Sequence, residues 1–121
     1  MTRKILIADR SDFARELLKD LISSCESCEF YETQSAVEAV RLFAEKGPDL
    51  TFLDLVLNNG DGFTVLRTMR ELERDKCIVI CTALAQTAVK VDAMQSGASA
   101  FLAKPLSGSR IESILKNETG S

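Results

Sequence analysis

Short unbroken runs of apolar residues alternate along this chain with stretches whose apolar residues recur every three or four positions. The runs are Ile5 to Ala8, Phe30-Tyr31 with its flanks, Leu50 to Leu53, Ile78 to Ile80 and Ala100 to Ala103. Between them fall Phe13, Leu17, Leu18, Leu21 and Ile22, then Ala36, Ala39, Val40 and Phe43, then Phe63, Leu66, Met69 and Leu72. A thinner stripe, Ala88, Val91 and Met94, lies within Gln86 to Ser96. An apolar run without alternation suits a strand buried on both faces, and spacing by three or four suits a helix with one buried face. The pattern predicts an α/β fold in which the βα unit occurs five times. Its expected form is a single doubly wound five-stranded parallel sheet, strand order 2-1-3-4-5, with helices on both faces.

The punctuation agrees. Ser11-Asp12 is placed to cap the first helix, Ser35 the second and Ser107 the last, while Gly47-Pro48 stops the second helix just before the third strand. Gly60-Asp61-Gly62 reads as a loop. The last helix is expected from about Ser107 to Lys116. One domain is therefore expected over residues 1–121, with its core at about 4–116 and residues 117–121 as a tail or the start of a linker.

Composition narrows the function. With 121 residues, 45% hydrophobic and 27% charged, the chain has the balance of one core-forming domain and no room for a multidomain enzyme. A net charge of −3 without a Lys/Arg cluster argues against nucleic acid as a partner. The apolar runs fall far short of the roughly 20 residues of a membrane span. Met1-Thr2-Arg3-Lys4 passes straight into Ile5, which leaves no room for a signal segment, so a cytoplasmic location is expected.

The four cysteines are too few for a disulfide scaffold, and reduced thiols are expected. Cys25-Glu26-Ser27-Cys28 has C-x-x-C spacing, but it sits in the connection before the second strand, and Cys77 and Cys81 have strand spacing unsuited to a second chelating loop. Neither a redox pair nor a zinc site is read from it. Asp12, Glu16 and Lys19-Asp20 read as the solvated face of the first helix. The chain has no histidine, so any chemistry falls to carboxylates, lysine or hydroxyls.

In open parallel sheets the site lies beyond the carboxyl ends of the strands. The first run closes on Asp9, the third on Asp54, the fourth on Thr82 and the fifth on Lys104. One Asp at a strand end is more often a turn or cap residue, and Thr82 alone fits a strand end by propensity. Four matched ends converging on one rim make a constellation. A carboxylate fixed at a strand end, as Asp54 would be, can attack phosphorus and form an acyl phosphate. Asp9 and Asp54 together could hold Mg²⁺, while Lys104 and Thr82 could donate to phosphoryl oxygens.

Over about residues 4–116 the chain resembles the receiver domain of bacterial two-component response regulators, whose chemotaxis-regulator-like fold is flavodoxin-like. The segments that carry the resemblance are Ile5 to Asp9, Asp49 to Asp54 followed by Asp61-Gly62, Cys81-Thr82-Ala83, and Gly97 to Pro105. It implies that Asp54 is the phosphoacceptor and that Lys104, Thr82 and the backbone of Ala83 contact the phosphoryl group. It also implies that Asp9, Asp54 and the carbonyl of Val56 hold Mg²⁺, that Thr82 and Phe101 form a switch, and that the bond before Pro105 is cis. Phe101 reads equally as an ordinary core aromatic.

The implied donor is a histidine kinase or a histidine phosphotransfer protein acting in trans. The implied output surface is helix four, strand five and helix five, which would meet a downstream protein, a fused output domain or a second copy in a homodimer. Any catalysis would be confined to phosphotransfer onto Asp54 and its reversal by hydrolysis, not turnover of a separate substrate. Val56 and Leu84 are apolar beside the site, so hydrolysis of the phosphoryl group is expected to be slow.

Two departures stand out. The family usually has two adjacent acids after the first strand, and here the pair is Asp9-Arg10, so weaker Mg²⁺ binding is expected. Either Arg10 swings to solvent, or its guanidinium folds over Asp54 and leaves a phosphorylation-independent pseudo-receiver interaction module. Asn58 stands where the family often carries proline, and a looser turn is expected there. A phosphatase of the haloacid-dehalogenase type would need an acid two residues after its nucleophile, where this chain has Val56.

Overall fold

The computed structural model describes residues 2–118, which run β1 (Arg3–Ala8), α1 (Asp12–Ser23), β2 (Cys28–Thr33), α2 (Ala36–Lys46), β3 (Leu50–Leu53), β4 (Val56–Leu57), β5 (Gly60–Asp61), α3 (Gly62–Leu72), β6 (Cys77–Thr82), α4 (Thr87–Gln95), β7 (Ala100–Ala103) and α5 (Gly108–Glu118). The five long strands form one sheet in the order β2-β1-β3-β6-β7, every pair parallel. This is the expected 2-1-3-4-5 arrangement, because β4 and β5 stand apart as a two-stranded hairpin.

Alternate residues of each buried run serve opposite layers. Leu6, Ala8, Leu53, Ile78, Ile80 and Phe101 pack with α2, α3 and Ala93 of α4. Ile5, Ile7, Leu50, Phe52, Val79 and Leu102 pack with Leu18 and Ile22 of α1 and Ile111 and Leu115 of α5. Both layers are apolar, so the strands read without alternation. Thr51 is the exception: its hydroxyl is buried and has no partner among the described residues.

The caps form as expected. Ser11, Ser35 and Ser107 accept from the N–H groups of Ala14, Glu38 and Arg110 at 3.1, 3.3 and 3.3 Å, and Gly47 ends α2 in the left-handed conformation at φ 56°. Helix α5 continues to Glu118, past the expected end at Lys116, and residues 119–121 of the expected tail lie outside the described residues.

Several expectations need correcting. The Gly60-Asp61-Gly62 loop is instead the second half of a hairpin running into α3, with Asp61 as cap. Asn59 and Gly60 turn the chain at φ 60° and 143°. Asn58 tightens this turn: its N–H donates to Gln34 at 2.9 Å and its carbonyl accepts from Ala36 at 2.8 Å. Proline could not make the first of these bonds.

Phe13 is 76% exposed, because it lies in the first turn of α1, beyond the rim of the sheet. Leu72, in the last turn of α3, is 51% exposed. The stripe on α4 faces out, with Val91 46% and Met94 41% exposed, while Ala93 is buried and Val89 packs against the core. The helix turns Ala93 and Val89 to the core. The face of α1 read as solvated is partly engaged, since Lys19 pairs with Glu16 at 2.7 Å and with Glu32 of β2 at 2.6 Å.

Cys28 opens β2 beside Arg3, at the amino ends of the strands and opposite the rim where Asp9 lies. Burial, then a hydrogen bond to Glu26, pushes its thiol up to about 11, far from the reactive range of a redox pair. Among the described residues no group of three or more His, Cys, Asp or Glu is arranged to hold a metal ion.

Candidate functional site

Three of the four chemistry-bearing residues at the rim are fixed by one further rung of the sheet. The N–H of Asp9 donates to Thr33 at 3.0 Å, that of Asp54 to Ala8 at 2.9 Å and that of Lys104 to Thr82 at 2.9 Å. These bonds extend the parallel ladders past the last apolar residue and aim three polar side chains into one space. Lys104 Nζ donates to Asp9 Oδ2 at 2.7 Å and to Asp54 Oδ2 at 2.8 Å. Both carboxylates are buried, at 6% and 7% exposure. Two buried like charges repel strongly unless a cation lies between them, and the ammonium fills that place.

Burial alone would lower the pKa of Lys104. The hydrogen bonds to Asp54 and Asp9 and the charges behind them outweigh it, and the ammonium titrates above the ordinary lysine value. Each carboxylate keeps a second oxygen for a backbone donor: Asp9 Oδ1 accepts from Ser11 at 2.9 Å and Asp54 Oδ1 from Val56 at 3.3 Å.

The side chains of Asp9, Asp54 and Lys104 are thus brought together, and the side chain of Thr82 is not bonded to them. It is fully buried, and its Oγ1 accepts from Leu84 N–H at 3.2 Å, which leaves its own hydrogen free to donate. Ala83 follows on the exposed loop. Phe101 is buried in the layer that holds Ile80 and Ala98. The Lys104–Pro105 peptide is cis. Arg10 is exposed and takes part in no ion pair among the described residues; the cation on the carboxylates is Lys104.

Two supporting residues went unread in the sequence. A Cβ at Gly62 would lie 2.3 Å from the carbonyl oxygen of Asp54 and 2.5 Å from the Cα of Leu55. Its N–H donates to Leu55 at 2.9 Å, so only glycine lets α3 begin against the loop that follows Asp54. Arg15, whose side chain is 13% exposed, donates to the main-chain carbonyl of Asp9 at 2.5 Å. Gly62 was visible only as part of a motif, and Arg15 had no periodic signal.

The oxygen set suits a hard cation. The buried carboxylates of Asp9 and Asp54, with the Val56 carbonyl, would supply half of an octahedron, and Mg²⁺ ordinarily keeps several waters.

Comparison with known proteins shows the family. Residues 5–116 match the family described as response regulator receiver domain. The chain is 31% identical over 111 residues to the chemotaxis protein CheY of Bacillus subtilis, covering 92% of this chain and 92% of that protein. It is 29% identical to CheY of Thermotoga maritima, covering 95% and 96%. The crystal structure of a two-component response regulator from Clostridium difficile superposes with a TM-score of 0.91 at 25% identity, covering 98% of this chain and 97% of that one.

Proposed function

The chain belongs to the response regulator receiver domain family, and from that premise we propose that residues 1–121 form one phosphorylation-controlled receiver whose Asp54 takes a phosphoryl group from a phosphohistidine. The observation that carries this reading is the single ammonium of Lys104 joining the buried carboxylates of Asp9 and Asp54 at 2.7 and 2.8 Å. Such a pair is poorly explained as scaffolding, since buried ion pairs seldom stabilise more than apolar packing would.

A carboxylate oxygen of Asp54 attacks phosphorus, a P–O bond forms, the P–N bond of the phosphohistidine breaks and its electron pair returns to the imidazole. These 121 residues contain no histidine, so the donor is a histidine kinase or phosphotransfer domain outside them. Lys104 then follows the new charge onto a phosphoryl oxygen, and the hydroxyl of Thr82 and the N–H of Ala83 donate to others. Asp9, Asp54 and the Val56 carbonyl would hold Mg²⁺, which supplies positive charge to the phosphoryl oxygens when bound. Val56 and Leu84 offer a hydrolytic water no hydrogen bond, so the acyl phosphate is long-lived.

The donor's docking place is the groove lined by Ser11, Phe13, Leu17, Lys104, Pro105 and Leu106. Its lining is mostly apolar, with Ser11 and Lys104 the polar members, and it accounts for a phenylalanine 76% exposed. The output face runs over α4, β7 and α5, where Leu84, Val91 and Met94 stand exposed for a downstream protein, a fused output domain or a second copy. Movement of Thr82 toward the phosphoryl group, with repacking of Phe101, would couple the two places. Exposure of Arg10 favours this active reading over a permanently neutralised interaction module.

The test is to incubate the protein with Mg²⁺ and a small acyl phosphate and follow its mass. The expected result is the gain of one phosphoryl group, mapped to Asp54 and absent in Asp54→Asn. A wild-type mass that stays unchanged alongside that control overturns the reading.

A further inference from the structure

Every polar group of Asp9 is engaged. Its N–H donates to Thr33 at 3.0 Å, Oδ1 accepts from Ser11 at 2.9 Å, Oδ2 from Lys104 at 2.7 Å and its main-chain carbonyl from Arg15 Nη1 at 2.5 Å. The first two bonds are to neighbouring backbone and the third belongs to the site. Arg15 alone reaches Asp9 from outside both. Its guanidinium is itself fixed: Nε donates to Glu32 Oε1 at 2.9 Å, Nη2 bonds Asp12, and Glu32 is held in turn by Lys19 at 2.6 Å. A planar fork held by carboxylates on α1 and β2 makes a stiff anchor for the carbonyl it meets.

We infer that Arg15 is a positioning residue which, braced by Glu32, sets the turn after β1 so that the carboxylate of Asp9 faces a divalent cation. This rests on the reading of Asp9 as a metal-holding acid. Holding the carbonyl restricts rotation about the Cα–C bond of Asp9 and so fixes the Ser11 N–H that follows it; that N–H holds Oδ1, and with it the direction from which Oδ2 meets Lys104 or a cation. Partners one step removed from a metal ligand commonly change affinity 10- to 100-fold when lost.

Charge and geometry make opposite predictions here. Arg15 is a cation close to the proposed cation site, so its charge alone repels Mg²⁺, and removing it would tighten binding. If the anchor is what matters, removal weakens binding instead.

Mg²⁺ binding to the whole chain, measured by titration calorimetry at fixed ionic strength, decides between them. Arg15→Met should raise the dissociation constant about 10-fold. Arg15→Lys, which keeps the charge but loses the fork, should raise it comparably. In phosphorylation by a small acyl phosphate, the Mg²⁺ concentration for half the maximal rate should rise by the same factor, with the rate at saturating Mg²⁺ within about twofold of wild type. Glu32→Gln, which loosens the brace and keeps Arg15, should weaken Mg²⁺ binding by a smaller factor and serves if Arg15→Met does not fold. Unchanged or tighter Mg²⁺ binding in the folded variants overturns the inference. Wild-type protein that neither binds Mg²⁺ nor gains mass at Asp54 overturns the phosphoacceptor reading and this inference together, whereas binding and mass gain in wild type with unaltered variants overturns the inference alone.

Discussion

At the scale of single residues, the site depends as much on what is absent as on what is charged. Nothing larger than hydrogen fits at Gly62, because a Cβ there would overlap the carbonyl oxygen of Asp54 at 2.3 Å. Backbone cannot yield as a flexible side chain would, so Gly62→Ala should cost about 3 kcal/mol in urea unfolding and also slow phosphorylation of Asp54 by displacing its carboxylate from Lys104. A full-stability Gly62→Ala variant with unaltered phosphorylation would show that the loop can shift without harm. The residues of the proposed site were legible, since Asp9, Asp54, Thr82 and Lys104 each close an apolar run and a parallel sheet delivers such ends to one rim. Their supports were not, because Gly62 and Arg15 act through close approach and a bond to backbone, which leave no trace in spacing.

At the scale of elements, the strands were easier to read than the faces of the helices. A strand buried on both sides shows as a run whichever layer each residue serves, and each expected run lies in a strand of the sheet. A short helix with apolar residues all round offers two candidate faces, and α4 turned the unexpected one inward. Ala93 is fully buried, while Val91 and Met94 stand 46% and 41% exposed. Single changes Val91→Lys and Met94→Lys should therefore alter unfolding free energy by no more than about 0.5 kcal/mol, while Ala93→Leu should lose about 2 kcal/mol by overpacking against the sheet. Large losses from both lysine variants would mean that this face is covered in solution, and a concentration-dependent melting point would then identify a second copy as the cover. The β4–β5 hairpin was missed for a different reason: its strands are two residues long, too short to carry an alternation, and turn signals dominate them.

At the scale of the whole molecule, ion pairs and buried thiols across the fold bound the pH range in which the receiver stays folded. Hydrogen bonding to Arg3 outweighs burial and holds Glu26 below the usual carboxylate range. Bonding to Lys19, opposed by burial and aided by Arg15, does the same for Glu32. The N–H of Thr64 leads the effect on Asp61. A depressed carboxylate contributes fully above its unfolded value, about 4, and the contribution disappears as pH falls through the lower folded value. Solvent screens these half-exposed pairs, so each is worth under about 1 kcal/mol. Burial works in the opposite sense on the thiols, raising Cys28 to about 11 and Cys81 beyond the range it would reach in water. A raised thiol contributes below its unfolded value, about 8.5, and above it the unfolded chain ionises first. Lys104 is raised as well, and its share is lost only further into alkali. Stability measured by urea unfolding in reductant should be level from about pH 5 to pH 8.5, fall gently in acid, and fall in alkali by up to about 1.4 kcal/mol per pH unit for each ionising thiol. Cys81→Val should flatten the alkaline limb and leave the acid limb unchanged, and Glu32→Gln should do the reverse. An alkaline limb as steep in Cys81→Val as in wild type would mean that Cys81 meets water in the folded protein, and the layer beneath Lys104 and Asp54 would then not be dry.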